Sequence, residues 1–175
     1  MIRSLLAVVI FSLLALPGFA GQLTVAVVSY SDERDPDTIA AALAGQNLAK
    51  LTNGARIDSG PGELKHGIVR FTQTTAASPG TVLDQDTRIM GTRAISRIRL
   101  TGSTVEAEIT TEEDVKLGLS KTVRYSYSGS GEYRPGAISV IGFRQSSSRQ
   151  PVITKNSKTV KVTSYTTLIL AQYLD

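Results

Sequence analysis

Apolar and polar positions repeat with two different periods along this chain. Residues 23–30 are rich in β-branched side chains and apolar on both alternating faces, the pattern of a strand buried on two sides. Over residues 36–51 the spacing becomes helical: Ile39, Ala40, Leu43, Ala44, Leu48 and Leu51 fall within one half of a helix circumference. Asp35 before Pro36 supplies an N-cap with proline in the first turn, and Asp37 adds negative charge where the helix dipole favours it. Gly45 weakens this helix or splits it, and Asn53-Gly54 stops it.

From residue 55 onward the period is two. Strands are predicted at 63–74, 81–89, 93–101, 104–110, 115–127, 137–143 and 159–172. Glycine-, proline- and serine-rich separators at 60–62, 78–80, 102–103, 128–136 and 146–156 read as turns or loops, with the serine-rich 145–150 a mobile loop.

The best-specified unit is a hairpin over residues 93–110. Taking Gly102-Ser103 as a two-residue loop sets Thr101 opposite Thr104, Leu100 opposite Val105, Arg99 opposite Glu106, Ile98 opposite Ala107 and Arg97 opposite Glu108. Apolar then meets apolar on one face, and opposite charges meet on the other. A one-residue slip destroys both matches. An odd-length loop at 110–114 brings the next strand's Val115, Leu117 and Leu119 onto the apolar face and Lys116 beside Glu108. Near the C-terminus, residues 166–171 are apolar on both faces, so this strand is either central or an edge in need of cover. The expected architecture is α+β and β-rich: a predominantly antiparallel sheet of about seven or eight strands, curled into a sandwich or half-barrel, with one helix after the first strand.

The first twenty residues stand apart from this pattern. Arg3 precedes an apolar run over residues 5–16 in which Ser12 is the only polar side chain. Pro17-Gly18 breaks it, and Gly18 and Ala20 place small residues where a signal peptidase requires them. Residues 1–20 therefore read as a cleavable signal peptide, too short for a membrane span, and residues 21–175 as one β-rich domain in the periplasm or outside the cell. No later segment is apolar for long enough to cross a membrane.

Charge and composition narrow the function classes. The chain carries 19 Lys and Arg against 15 Asp and Glu, with no basic run and no basic stripe with interleaved aromatics, so nucleic acid is not an expected partner. It has no Cys and a single histidine, His66, which rules out disulfides, thiol chemistry and a multi-histidine metal site within one chain. Stability must come from packing and hydrogen bonding.

Candidate chemistry is sparse. Asp32, Glu33, Asp35 and Asp37 lack the spacing of a calcium loop, and helix capping accounts for two of them. Asp84 and Asp86 share a strand face with Arg88, whereas glycosidase carboxylates flank a cleft. No G-x-S-x-G elbow is present, although a triad using His66 is not visible in sequence spacing either way. The charged side chains of the hairpin, Arg93, Arg97, Arg99, Glu106, Glu108 and Lys116, read as exposed ion pairs. Tyr125, Tyr127 and Tyr133 border the glycine- and serine-rich 128–131 segment and form the candidate partner surface, because tyrosine offers contact area at low entropic cost. The competing reading has Tyr125 and Tyr127 continuing an inward strand face and closing the end of the core. The expected function is an exported, non-enzymatic binding or structural module with no cofactor and no metal, whose partner is a protein or an envelope polymer met at a sheet edge or at the tyrosines. The alternative is a hydrolase of an envelope polymer or small ester or glycoside, using Asp84, Asp86 or His66.

Overall fold

A computed structural model describes residues 20–31, 34–57, 67–89, 92–117, 119–154 and 157–175. The elements are β1 (Gly21–Tyr30), α1 (Pro36–Ala42), a short 3₁₀ turn (Leu48–Lys50), β2 (Arg56–Ile57), β3 (Gly67–Ala77), β4 (Val82–Ile89), β5 (Thr92–Thr101), β6 (Thr104–Leu117), β7 (Leu119–Glu132), β8 (Ile138–Thr154) and β9 (Ser157–Leu174). They form two antiparallel sheets, one in the order β2-β3-β1-β9-β8 and the other in the order β4-β5-β6-β7.

The five-stranded sheet has two buried faces at its centre, which is why β1 and β9 are apolar on both. Leu23, Val25 and Val27 of β1 join Ile169, Ala171 and Tyr173 of β9 in the core between the sheets. Val28 and Tyr30 join Leu168 and Leu170 on the opposite face, under Ile39, Leu43 and Leu48 of the helical segment. The both-faces-apolar segment near the C-terminus is thus a central strand. Two bulges redirect side chains between these faces. The register of β1 against β3 shifts at Arg70, so Phe71 faces the inter-sheet core while Val69 faces the helix. A second shift at Ile141 turns that residue into the inter-sheet core while Val140 packs on the helix side.

The helix is shorter than its apolar period suggested. Asp35 caps it by accepting from the Thr38 amide at 2.9 Å, and Pro36 opens the first turn. It ends at Ala42, and Gly45 at φ +81° turns the chain before Leu48 re-enters the core in the 3₁₀ turn. Buried Gln172 fastens this segment to the sheet: its Oε1 accepts from the Leu48 amide at 2.8 Å and its Nε2 donates to the Gln46 carbonyl at 3.0 Å.

In the second sheet the hairpin has the register expected from charge and apolar matching, with Arg97 opposite Glu108, Arg99 opposite Glu106 and Ile98 opposite Ala107. Gly102 takes the positive φ, +56°, that the first loop position requires. The following segment differs from expectation. Residues 110–114 are strand rather than loop: β6 runs on to Leu117, Lys116 pairs with Ser120, and Glu108 stands opposite Ser128. The alternation never stops there. Thr111 is buried on the inward face, and Glu112 on the outward face pairs with Arg93 and Arg124.

Likewise, Ser128–Gly131 is part of β7, not a loop, and the serine-rich 145–150 is part of β8. The glycines have a packing reason: a Cβ on Gly129 would lie 2.4 Å from the Ile141 carbonyl oxygen, and one on Gly131 would lie 3.1 Å from the Ile141 Cα. Here β7 of one sheet presses on β8 of the other, closing that side of the sandwich. The serines belong to an edge strand, as does Pro151, whose missing N–H is tolerated there.

Candidate functional site

Beyond the contact at Gly129, the inter-sheet space changes character. Val27 and Ile169 are the last apolar residues of β1 and β9 on the inner face. The next inward positions are Ser29 and Thr167, whose hydroxyls lie 3.2 Å apart. Register carries the same face outward along the hairpin of β8 and β9, through Arg144 opposite Thr167 and Ser146 opposite Tyr165. These side chains form the floor of a cleft of about 670 Å³, within the size range of ligand sites.

Four consecutive residues of β7 wall the cleft: Arg124, Tyr125, Ser126 and Tyr127. Successive strand residues point to opposite faces, so a run of four can line one space only where the strand meets it along its edge. β7 is the last strand of its sheet, so this edge carries backbone groups not used by β6. A smaller cavity of about 250 Å³ continues along the same edge, between Ser126, Tyr127 and Ser128 on one side and Phe143 and Arg144 on the other.

The electrostatics are one-sided. Arg70, placed at the β3 bulge, Arg124 and Arg144 line the cleft, and none of the described residues that line it is acidic. Arg124 is engaged by Glu112 through its Nε at 2.9 Å, whereas Arg70 and Arg144 have no carboxylate within ion-pair distance among the described residues. Burial pushes the Tyr127 phenol above its ordinary range; a hydrogen bond with Thr111 and the charge of Arg70 oppose that, and Glu113 and Tyr125 reinforce it. Tyr127 therefore keeps its proton at physiological pH and presents a neutral ring to the cleft wall.

Of the three tyrosines singled out by sequence, the cleft brings two together. Tyr127 packs against the inter-sheet core, and Tyr125, on the same strand face, is 45% exposed at the mouth. Tyr133 lies past the end of β7, packed at a tilt against Tyr173 with ring centroids 5.0 Å apart. Sequence reasoning missed Arg70, Arg144 and Tyr165, because each depends on a register or a bulge that periodicity alone does not set.

The acidic candidates lie elsewhere. Asp84 and Asp86 sit on the exposed outer face of the second sheet. Arg97 Nε donates to Asp84 Oδ1 at 2.8 Å, and Arg93 holds Asp86 at 2.5 Å. The Arg93 hydrogen bond holds the Asp86 carboxyl below the usual carboxylate range, opposite to what a general acid needs. Asp84, Asp86, Arg97 and Glu108 line only a shallow depression of about 410 Å³ on this face. His66, Asp32 and Glu33 fall outside the described residues, and Asp35 is occupied in capping. Among the described residues, no group of three or more His, Cys, Asp or Glu is placed to hold a metal ion, and no helix is long and apolar enough to cross a membrane. No family of proteins, no curated protein and no solved structure matches the chain.

Proposed function

We propose that this protein is an exported, non-enzymatic binding module whose ligand surface is the cleft at the open end of the sandwich. One observation carries the reading. Beyond Val27 and Ile169 the inner face of the five-stranded sheet turns from apolar to arginine, tyrosine and hydroxyl side chains, which line a cleft together with the edge strand β7. A fold that only needed to close its core would continue Val27 and Ile169 with apolar residues, not with Ser29, Thr167 and Arg144. Export rests on the order of charge, apolar run and small residues over positions 1–20.

The test is comparative co-purification from the native envelope, using tagged wild-type protein and the double variant Tyr125→Ala, Arg144→Glu. Both side chains are exposed, so the variant retains the wild-type melting temperature. The reading expects a molecule retained by wild type and lost by the variant. Identical retention by both proteins overturns the assignment of the cleft.

A further inference from the structure

We infer that the cleft takes an extended acidic peptide segment of another protein, added as a strand along the free edge of β7. This rests on the cleft being the ligand surface, and it names the ligand class. Three observations converge on it.

The first is the edge. Arg124, Tyr125, Ser126 and Tyr127 line the cleft consecutively, so the strand faces it with its edge, and β7 has a hydrogen-bonded neighbour only in β6. Every second residue of β7 therefore directs its N–H and C=O toward the space an added strand would fill. A saccharide can use arginines and tyrosines equally well, but it does not match a ladder of alternating donors and acceptors at strand spacing.

The second is the floor. In a strand lying along β7, alternate side chains point down onto the hairpin of β8 and β9, about 6.5–7 Å apart along the peptide. They meet Arg144, Ser146 and Tyr165 there. Carboxylates at those positions find the Arg144 guanidinium, which has no carboxylate within ion-pair distance among the described residues, and Arg70 lines the same cleft. Guanidinium groups bind carboxylates in forked geometry, which gives register as well as affinity.

The third is protection. Natural edges are blunted by charge, bulges, short strands or covering loops. β7 carries Arg124 beside the cleft and is pinned by Gly129 against Ile141, which keeps a second β7 from lying flat along its full length. A peptide thin enough to enter between the sheets is admitted, and a second whole sheet is not.

The probe is a fluorescein-labelled peptide of about ten residues alternating Glu and Val, long enough to form a strand, read by fluorescence anisotropy against the purified protein. Three comparisons accompany it: the same peptide N-methylated at alternate amides, a Lys-Val peptide, and oligogalacturonate. The Glu-Val peptide is expected to bind, and Arg144→Glu to weaken it about tenfold or more, with weaker binding at high salt. N-methylation, which removes the edge hydrogen bonds without touching charge, is expected to weaken it by a similar factor. Equal binding of the N-methylated or the Lys-Val peptide overturns the inference. Oligogalacturonate binding that depends on Arg144, without peptide binding, overturns strand addition and leaves the cleft as the ligand surface. Failure of every anionic probe to respond to Arg144→Glu overturns both.

Discussion

Gly129 lies so close to Ile141 that a single added methyl group would reach 2.4 Å from the Ile141 carbonyl oxygen. That contact is backbone against backbone, between edge strands of different sheets, so neither partner can swing aside as a side chain would. It also sets where the cleft begins. Gly129→Ala should destabilise the protein by about 1–3 kcal/mol, the range for overpacking a tight site. Gly131→Ala, where the nearest Ile141 atom would be 3.1 Å away, should cost less. Urea denaturation of the two variants measures the difference. An unchanged midpoint for Gly129→Ala would mean that β7 and β8 do not cross here.

A contrast within one hairpin separates core from surface. Arg97 stands opposite Glu108 in register, yet its guanidinium bonds to Asp84 on the neighbouring strand, with 60% of both side chains exposed. Solvent-exposed pairs of this kind contribute little, so Arg97→Ala should leave the denaturation midpoint within experimental scatter. Ile98, adjacent in sequence, is 1% exposed. Ile98→Asp buries a charge with no partner and should cost at least about 3 kcal/mol. Comparable losses for the two variants would place Ile98 and Arg97 on the wrong faces.

The same hairpin shows why some of the fold was legible and some was not. Residues 93–110 carry two independent patterns, apolar and charged, that agree on one register, and Gly102 fixes the turn. Asp35 and Pro36 marked the helix start for local chemical reasons. What failed was composition read as conformation. Ser128–Gly131 has the makeup of a loop, but its glycines are strand residues answering to Ile141, a residue of the other sheet. The serines of 145–150 lack an apolar face because they border a cleft instead of a core. Arg144 entered the site through the bulge at Ile141, and Arg70 through the bulge in β3. A bulge inverts the faces of every residue beyond it without any mark in the period, so the candidate site was only half visible, as Tyr125 and Tyr127.

Acid should act on the helix cap. Hydrogen bonds from the Thr38 hydroxyl and amide hold the Asp35 carboxyl below its ordinary value of 3.8. A depressed carboxylate pKa contributes stability that is complete above the unfolded value and lost as pH falls through the folded one. Asp35→Ala should therefore lower the melting temperature at neutral pH. The gap to wild type should narrow below about pH 4. Asp35→Asn, which still accepts the amide bond and has no carboxyl to protonate, should recover most of the loss at neutral pH and equal or exceed wild type in acid. Melting curves between neutral and acid pH report both effects, and a gap that widens in acid would contradict the cap.

Alkali should act at the cleft wall. Burial raises the Tyr127 phenol above 10, so its contribution is complete below the unfolded value and declines as pH rises through the folded one. Tyr127→Phe removes the ionisable group from a half-buried position and should flatten the alkaline loss of stability. Phenolate absorbance should show one fewer late-titrating tyrosine in the variant. An alkaline profile identical to wild type would place Tyr127 in solvent.

The first residue of β1 offers a test of processing and packing together. The Gly21 backbone nitrogen donates to the Tyr173 hydroxyl at 3.1 Å, and that hydroxyl donates in turn to the Ala77 carbonyl at 3.1 Å. The Tyr173 ring occupies the space a Cβ on Gly21 would need, at 2.3 Å. Cleavage after Ala20 would leave an ammonium at Gly21, which remains a donor to the phenol oxygen, so processing and this anchor are chemically compatible. Intact-mass measurement of the exported protein should give a chain starting at Gly21, and an exported chain starting at Met1 would overturn the signal-peptide reading. Tyr173→Phe keeps the ring but leaves the buried Gly21 nitrogen and Ala77 carbonyl without this partner. It should cost about 1–3 kcal/mol. Gly21→Leu fails for a different reason, since no side chain fits beneath the Tyr173 ring. In Gly21→Leu, Tyr173→Ala the removed ring vacates that space, and the double variant should lose less than the two single losses added together. Strict additivity in urea denaturation would show that the two residues do not touch.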